Sequence, residues 1–96
     1  MSVIQGINFE SHPLATTTFS DVPGVYVITT SQKWLDVGQT DKLGQRLTSH
    51  ERKADWLREA GGLTIWVNFL RIDNEQRRLN LETNLRTNLR PVCGEK

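Results

Sequence analysis

The sequence predicts a single small α/β domain of the α+β type, in which a sheet of about three strands is flanked by helices in the order β-β-α-α-β-α. Ninety-six residues provide material for one hydrophobic core. Two short apolar runs, at 25–29 and 34–37, are separated by a polar turn, which is typical of a hairpin. The remainder shows helical spacing and one further strand pattern, so we expect helices to cover the sheet.

The first part of the chain is predicted to be an N-terminal arm. His12-Pro13, a threonine run at 16–18 and the approach to Pro23-Gly24 interrupt regular patterns, so this part is expected to be irregular or to form a weak edge strand. We therefore divide the chain into an arm, residues 1–21, and a folded domain, residues 22–96.

The predicted hairpin contains an acid, Asp36, within an otherwise apolar run. A three-residue turn would pair Tyr26 with Gly38 and Ile28 with Asp36, which places Tyr26 and Asp36 on one face; a two-residue turn would move one of them to the other face. Burying an unpaired carboxylate costs several kcal/mol, so we expect Asp36 to face a polar surface or a cleft.

Two helices are predicted to follow the hairpin. Thr40-Asp41 is expected to cap a helix that runs to about His50, with Leu43 and Leu47 on its buried stripe. A second helix is predicted over 53–60, because Gly61-Gly62 stops the pattern.

A strand and a helix complete the chain. Residues 63–72 alternate apolar side chains, which predicts the central strand of the sheet. Asp73 and Gln76 have the spacing of a capping pair, and the last helix is predicted to run from there to Arg90, where Pro91 ends it.

The overall charge gives the chain little general attraction for nucleic acid. Twelve Lys and Arg residues stand against eleven Asp and Glu residues, a formal net charge of +1. The basic residues do cluster, however, in two predicted helical stretches: Arg46, Arg52, Lys53 and Arg58 in one, and Arg77, Arg78, Arg86 and Arg90 in the other.

Cysteine content and hydropathy limit the cellular setting. The single cysteine, Cys93, excludes an internal disulfide and cannot build a metal cluster alone. No stretch approaches the roughly 20 apolar residues of a membrane span, and the first residues lack the features of a signal peptide. We therefore expect a cytoplasmic location with no membrane partner.

Four short motifs occur in a fixed order. Gly24-Val25-Tyr26 is followed, ten residues after its tyrosine, by Asp36-Val37-Gly38; Arg46-Leu47-Thr48-Ser49-His50 begins ten residues after Asp36; and Glu82 stands nine residues before Pro91. This set resembles the GIY-YIG nucleases, and the resemblance extends over residues 22–94. It implies a three-stranded antiparallel sheet flanked by helices, with residues 22–96 as the nuclease domain.

The resemblance also implies a chemistry, the metal-dependent hydrolysis of DNA phosphodiester bonds. Glu82 would hold one Mg²⁺ or Mn²⁺, and Arg46 would clamp the scissile phosphate. Tyr26 would be the general base or proton relay, activated by His50. The first basic cluster, Arg46, Arg52, Lys53 and Arg58, is expected to bind DNA, with a protein partner supplying specificity.

Two positions depart from the family pattern. Asp36 stands in place of the second motif tyrosine, and Gly94 in place of an asparagine after the terminal proline. Asp36 is then either an additional catalytic group, as a metal or water ligand, or the mark of a degenerate site.

Three functions therefore stay open. The first is an endonuclease, acting in DNA repair on branched or damaged DNA or in restriction-like defence. The second is a catalytically silent nucleic-acid-binding module on the same fold. The third is a protein-interaction domain, in which Tyr26, Arg46 and Glu82 would fail to converge.

Overall fold

The computed structural model describes residues 2–49 and 52–93 of the chain. In this part the chain forms five strands and three helices. They are β1 (Ser2–Ile4), β2 (Ile7–Pro13), β3 (Gly24–Thr29), β4 (Trp34–Thr40), α1 (Leu43–Thr48), α2 (Lys53–Ala60), β5 (Trp66–Arg71) and α3 (Glu75–Leu89).

The strands form one antiparallel sheet in the order β1-β2-β5-β3-β4. The prediction of an α+β domain with helices flanking a sheet is confirmed, but the expected three strands and the order β-β-α-α-β-α are wrong. The two additional strands come from the segment that we predicted to be an arm. Gln5 and Gly6, with φ of 52° and 74°, turn β1 back onto β2, and β2 pairs with β5.

Each face of the sheet carries its own hydrophobic core. On one face, Tyr26, Ile28 and Val67 pack with residues of α1 and α2, including Leu47 and Trp56. The other face packs against α3 and includes Phe9, Val25, Val27, Val37, Leu85 and Leu89. Strands β3 and β5 therefore have side chains buried on both faces, which explains the continuous apolar character of 25–28.

The hairpin of β3 and β4 has the expected register near the candidate site and a different one near the turn. Tyr26 is opposite Gly38 and Ile28 opposite Asp36, as the three-residue turn would give, but a register shift follows and Thr29 pairs with Trp34. Such a bulge can turn consecutive side chains to the same side of a sheet. Accordingly, Leu35 belongs to the same core as Tyr26, rather than to that of Val37.

Helix α1 starts where the preceding segment packs against it. Its N-cap residue, Lys42, makes no capping bond with its side chain; instead the Asp21 carboxylate accepts the Gln45 N–H at 2.7 Å. A Cβ at Gly44 would overlap the backbone oxygen of Phe19, so glycine permits this close approach. The expected cap at Thr40-Asp41 is therefore wrong, since a distant residue satisfies the helix terminus.

The other boundaries need smaller corrections. Helix α2 has the predicted limits, with Gly61 in the left-handed conformation at its end. Strand β5 begins at Trp66, three residues after the predicted start. Helix α3 is capped by Asn74, whose side chain accepts the Arg77 N–H at 2.9 Å, and not by the predicted pair of Asp73 and Gln76.

Beyond α3 the chain returns along the outer edge of β4. Val92 N–H donates to Trp34 O at 3.0 Å, and Cys93 N–H to Leu35 O at 2.8 Å. Within residues 2–49 and 52–93, the helices are all too short or too polar to cross a membrane.

Candidate active site

The candidate site is built around residues 36–39 of strand β4. Tyr26, directly opposite Gly38, is fully buried. A Cβ at Gly38 would overlap the phenol oxygen of Tyr26, so the tyrosine hydroxyl lies over the glycine backbone. Gly38, in the second motif, thus leaves space for the hydroxyl of Tyr26, in the first motif. This close approach is a physical reason for the two motifs to occur together.

Helix α1 brings an arginine to this tyrosine. Arg46 is exposed, and its Nε lies 3.5 Å from the Tyr26 hydroxyl oxygen. Burial raises the pKa of Tyr26 above its ordinary value of 10.0, while the hydrogen bond and charge of Arg46 act in the opposite direction. The phenol is therefore protonated at neutral pH and can donate a hydrogen bond.

Asp36 is entirely buried, and both of its carboxylate oxygens accept hydrogen bonds. Oδ2 accepts from Arg52 Nε at 2.7 Å and from Trp56 Nε1 at 2.9 Å. Oδ1 accepts from Val37 N–H at 2.8 Å and from Arg86 Nη2 at 3.0 Å. Asp36 therefore faces the same side as Tyr26, but it lies among donors rather than in an open cleft.

Helix α3 supplies the candidate metal ligand. Glu82 is half-buried, its Oε2 lies 3.9 Å from Arg86 Nε, and it receives a backbone hydrogen bond from Gln39. Burial raises the pKa of Glu82, although the charge of Arg86 and the bond from Gln39 oppose that effect. An approaching cation would favour the ionised carboxylate in the same way.

The structure brings together the described members of the predicted catalytic and metal-binding set, Tyr26, Asp36, Arg46 and Glu82. All of them lie around residues 36–39. His50 and Gly94 lie outside the described residues. The catalytic roles themselves stay predictions.

Of the predicted DNA-binding residues, Arg46 and Arg52 lie at the candidate site, and Lys53 and Arg58 lie outside it. Arg52 belongs to the cluster around Asp36, whereas Arg58 is exposed and pairs with Asp55 at 2.8 Å. Lys53 lines a separate depression between α1 and the segment before β3. Their DNA-binding role also stays a prediction.

Three residues of this region were absent from the predicted site. Arg86 and Trp56 both donate to Asp36, and Arg78 is buried with its Nε 3.0 Å from Gln39 Oε1. Arg86 follows Glu82 by one helical turn, so the i,i+4 pairing was the available indication. Nothing local in the sequence indicated that Trp56 reaches β4.

The donors that could hold a metal are few. Within the described ranges, no group of three or more His, Cys, Asp and Glu side chains is close enough to bind an ion together. A site based on Glu82 would therefore supply one carboxylate, an arrangement that Mg²⁺ accepts when water and substrate oxygens complete its shell.

Comparison with known proteins shows a structural likeness. No family model matches the chain, and no curated protein matches it. A point mutant of the GIY-YIG N-terminal endonuclease domain of UvrC from Thermotoga maritima, bound to its catalytic divalent cation, superposes with a TM-score of 0.64 and 23% identity, covering 80% of this chain and 87% of that one.

The same domain bound to magnesium gives a TM-score of 0.60 and 24% identity, covering 75% of this chain and 82% of the other. Identity at this level supports a conclusion about the fold. The chain therefore has the fold of the GIY-YIG endonuclease domain, as its four motifs indicated.

Proposed function

We propose that this protein is a divalent-metal-dependent endonuclease that hydrolyses DNA phosphodiester bonds. The observation that carries the proposal is the convergence of Tyr26, Arg46 and Glu82, from three separate elements, on residues 36–39 of β4. Its support is the likeness to an endonuclease domain that binds a catalytic divalent cation. The proposal includes the predicted cytoplasmic location and a protein partner that supplies DNA specificity.

Glu82 is the proposed ligand of one Mg²⁺ or Mn²⁺. Its oxygen donors suit a hard cation, and its half-buried position leaves room for coordinated water. A bound divalent ion would supply charge neutralisation at the phosphate and a more acidic water.

Arg46 is the proposed phosphate clamp. It is exposed, beside the buried hydroxyl of Tyr26, so it can contact a phosphate at the surface while it orients the phenol. Its planar guanidinium can donate two parallel hydrogen bonds to phosphate oxygens. Arg52, Lys53 and Arg58 would extend the contact along the DNA backbone.

Tyr26 is the proposed proton relay. Its raised pKa leaves little phenolate at neutral pH, so the hydroxyl would pass a proton onward rather than hold a stable negative charge. The predicted activation by His50 would make this proton transfer easier. A direct ligand role for Asp36 is less well supported, because each of its oxygens already accepts two hydrogen bonds.

Cleavage of supercoiled, branched and single-stranded DNA by the full chain, with Mg²⁺ or Mn²⁺, tests the proposal. We expect the wild type to cleave at least one of these substrates and Glu82→Gln to lose at least 10²-fold in rate. Glu10→Gln, which removes an exposed carboxylate on β2, is the matched control. Cleavage that survives Glu82→Gln would contradict the role proposed for Glu82.

Metal binding gives a readout that does not need a substrate. Mg²⁺ at a hundredfold excess over its Kd should stabilise the wild type by about 2.7 kcal/mol. Thermal unfolding of Glu82→Gln should be insensitive to Mg²⁺. Equal stabilisation of both proteins would place the ion elsewhere.

A catalytically silent nucleic-acid-binding module is the second candidate, favoured by Asp36 at the position of a family tyrosine. It predicts salt-sensitive DNA binding without metal-dependent turnover. A protein-interaction domain is disfavoured, since Tyr26, Arg46 and Glu82 lie around one stretch of β4. The cleavage assay separates these candidates from the nuclease.

A further inference from the structure

Asp36 is the centre of an ionic cluster that draws on three elements. The carboxylate belongs to β4, Arg52 precedes α2, and Arg86 lies on α3. Arg52 approaches with Nε 2.7 Å from Oδ2 and Nη2 3.4 Å from Oδ1. Arg86 donates to Oδ1 and also to the backbone oxygen of Val37. One carboxylate thus fixes two guanidinium groups from segments far apart in the chain.

Both arginines adjoin the candidate site. Arg86 Nε is 3.9 Å from Glu82 Oε2, and the charge of Arg52 acts on both Tyr26 and Glu82. The side chains of Arg52 and Arg86 are 18% and 22% exposed, whereas Asp36 is 0% exposed. The two arginine side chains therefore lie between the buried Asp36 carboxylate and the protein surface.

Stability alone is a weak reason for this cluster. Replacing a buried ion pair by well-packed apolar side chains is often neutral or stabilising, because burying the charges costs desolvation energy. The chain neighbours of Asp36, Leu35 and Val37, are both buried in the hydrophobic cores, so the position lies in an otherwise apolar part of β4. A carboxylate here does, however, hold each guanidinium in one orientation.

That orientation suits an anionic substrate. Donors that are already ordered stabilise developing charge without a cost of reorganisation, and a planar guanidinium matches phosphate geometry. The cluster and the adjoining candidate site contain three arginines and two carboxylates: Arg46, Arg52 and Arg86, and Asp36 and Glu82. These five side chains together carry a net positive charge.

We propose that Asp36 is a positioning residue that holds Arg52 and Arg86 against the substrate phosphate, so that this chain binds a DNA phosphodiester with these two arginines in addition to Arg46. The inference rests on the proposed DNA-cleaving function. Asp36 acts through the two arginines and does not itself touch the metal or the DNA.

The test compares single-turnover cleavage of supercoiled plasmid DNA, in Mg²⁺, by the wild type, Arg52→Lys, Arg86→Lys and Asp36→Asn. Lysine keeps the charge but lacks the planar fork that can face Asp36 and a phosphate together. We expect each lysine variant to lose roughly 10²-fold in rate. Arg71→Lys, at an exposed pair with Asp73, should keep the wild-type rate.

Coupling between the residues is measured by a double variant. If Asp36 acts through Arg86, Asp36→Asn combined with Arg86→Lys should be little slower than the slower single variant. Asp36→Asn can unfold the protein, so circular dichroism is used to check that each variant is folded. If Asp36→Asn is unfolded, the cleavage rates of Arg52→Lys and Arg86→Lys test the inference.

DNA binding without metal provides a second readout. The logarithm of the binding constant for a short duplex falls with the logarithm of salt concentration, with a slope of about −0.9 for each phosphate contact. Arg52→Gln and Arg86→Gln should each reduce that slope by about one contact, beyond any change in Arg71→Gln.

The outcomes separate this inference from the proposed function. If the wild type cleaves DNA, the folded lysine variants keep its rate and the folded glutamine variants keep its salt slope, the inference fails and the nuclease proposal stands. If the lysine variants lose stability but their folded fraction cleaves at the wild-type rate, the cluster only stabilises the fold and the inference again fails. A wild type that neither binds nor cleaves DNA would overturn both.

Discussion

At the scale of single residues, Tyr26 illustrates how surroundings set chemistry. It lies in the core with Ile28, against the backbone of Gly38, and its hydroxyl accepts a hydrogen bond from Arg46. Burial disfavours the phenolate, and the arginine favours it. The balance leaves Tyr26 with a pKa above 10.0, so a folded protein binds this proton more tightly than an unfolded one.

Removal of Arg46 should shift this balance measurably. Tyr26 is the single tyrosine of the chain, so ultraviolet absorbance of tyrosinate reports its ionisation alone. We expect Arg46→Met to raise the pKa of Tyr26 further, because the hydrogen bond and the positive charge that lower it are lost. Arg71→Met removes an exposed arginine that pairs with Asp73 and should leave the titration unchanged.

The same pKa predicts a pH dependence of stability. A raised folded-state pKa means that the contribution of Tyr26 is fully present below pH 10.0 and is lost as pH rises through the folded pKa. Tryptophan fluorescence during the titration shows whether the protein stays folded. A lower pKa in Arg46→Met would contradict the described contact.

At the scale of elements, helix α3 determines the position of both Glu82 and Arg86. It is held at its start by Asn74 and by buried Arg78, whose guanidinium reaches Gln39 of β4 and the backbone oxygens of Ile72 and Asp73. These bonds tie the first turn of the helix to the strand that carries the candidate site. Most side chains of α3 are polar, so these hydrogen bonds contribute more to the placement of the helix.

Loss of the helix cap should therefore reduce stability. Asn74→Ala removes the acceptor of the Arg77 N–H and should lower the free energy of unfolding by about 1 kcal/mol. Asp73→Ala is the matched control at the position predicted from the sequence, and its exposed pair with Arg71 should contribute well under 1 kcal/mol. Urea denaturation measures both, and a larger loss in the control would assign the cap to Asp73.

At the scale of the whole molecule, the N-terminal strands complete the fold. Phe9 and Ile4 are buried in the core beneath α3, and Ser11 Oγ donates to Asn68 Oδ1 of β5 at 2.5 Å. Without β1 and β2, strand β5 would become an exposed edge with unpaired backbone groups. The segment predicted to be an arm is thus part of the sheet.

Truncation of Phe9 tests this integration. Phe9→Ala should lower the free energy of unfolding by about 3–5 kcal/mol, since it removes a fully buried aromatic side chain. Val3→Ala, in the neighbouring strand at a 69% exposed position, should change it by less than about 0.5 kcal/mol. A loss below about 1 kcal/mol for Phe9→Ala would mean that the strands add little to the core.

The sequence alone determined the features that depend on local patterns and fixed spacing. The apolar runs on either side of a polar turn located β3 and β4, alternation located β5, and the glycine pair ended α2. The ordered motifs indicated the fold and brought Tyr26, Asp36, Arg46 and Glu82 into one hypothesis. The pairing of Tyr26 with Gly38 followed from one of the two turn lengths considered, three residues, but the structure reaches it through a bulge, with Thr29 opposite Trp34.

Only the tertiary structure decided what depends on contacts between distant segments. The N-terminal strands form because β5 offers them a partner, and α1 begins where Asp21 reaches Gln45. Asp36 looked unfavourable in an apolar run because its partners, Arg52 and Arg86, lie 16 and 50 residues away. Compensation of a buried charge is a property of the assembled fold, which no local pattern encodes.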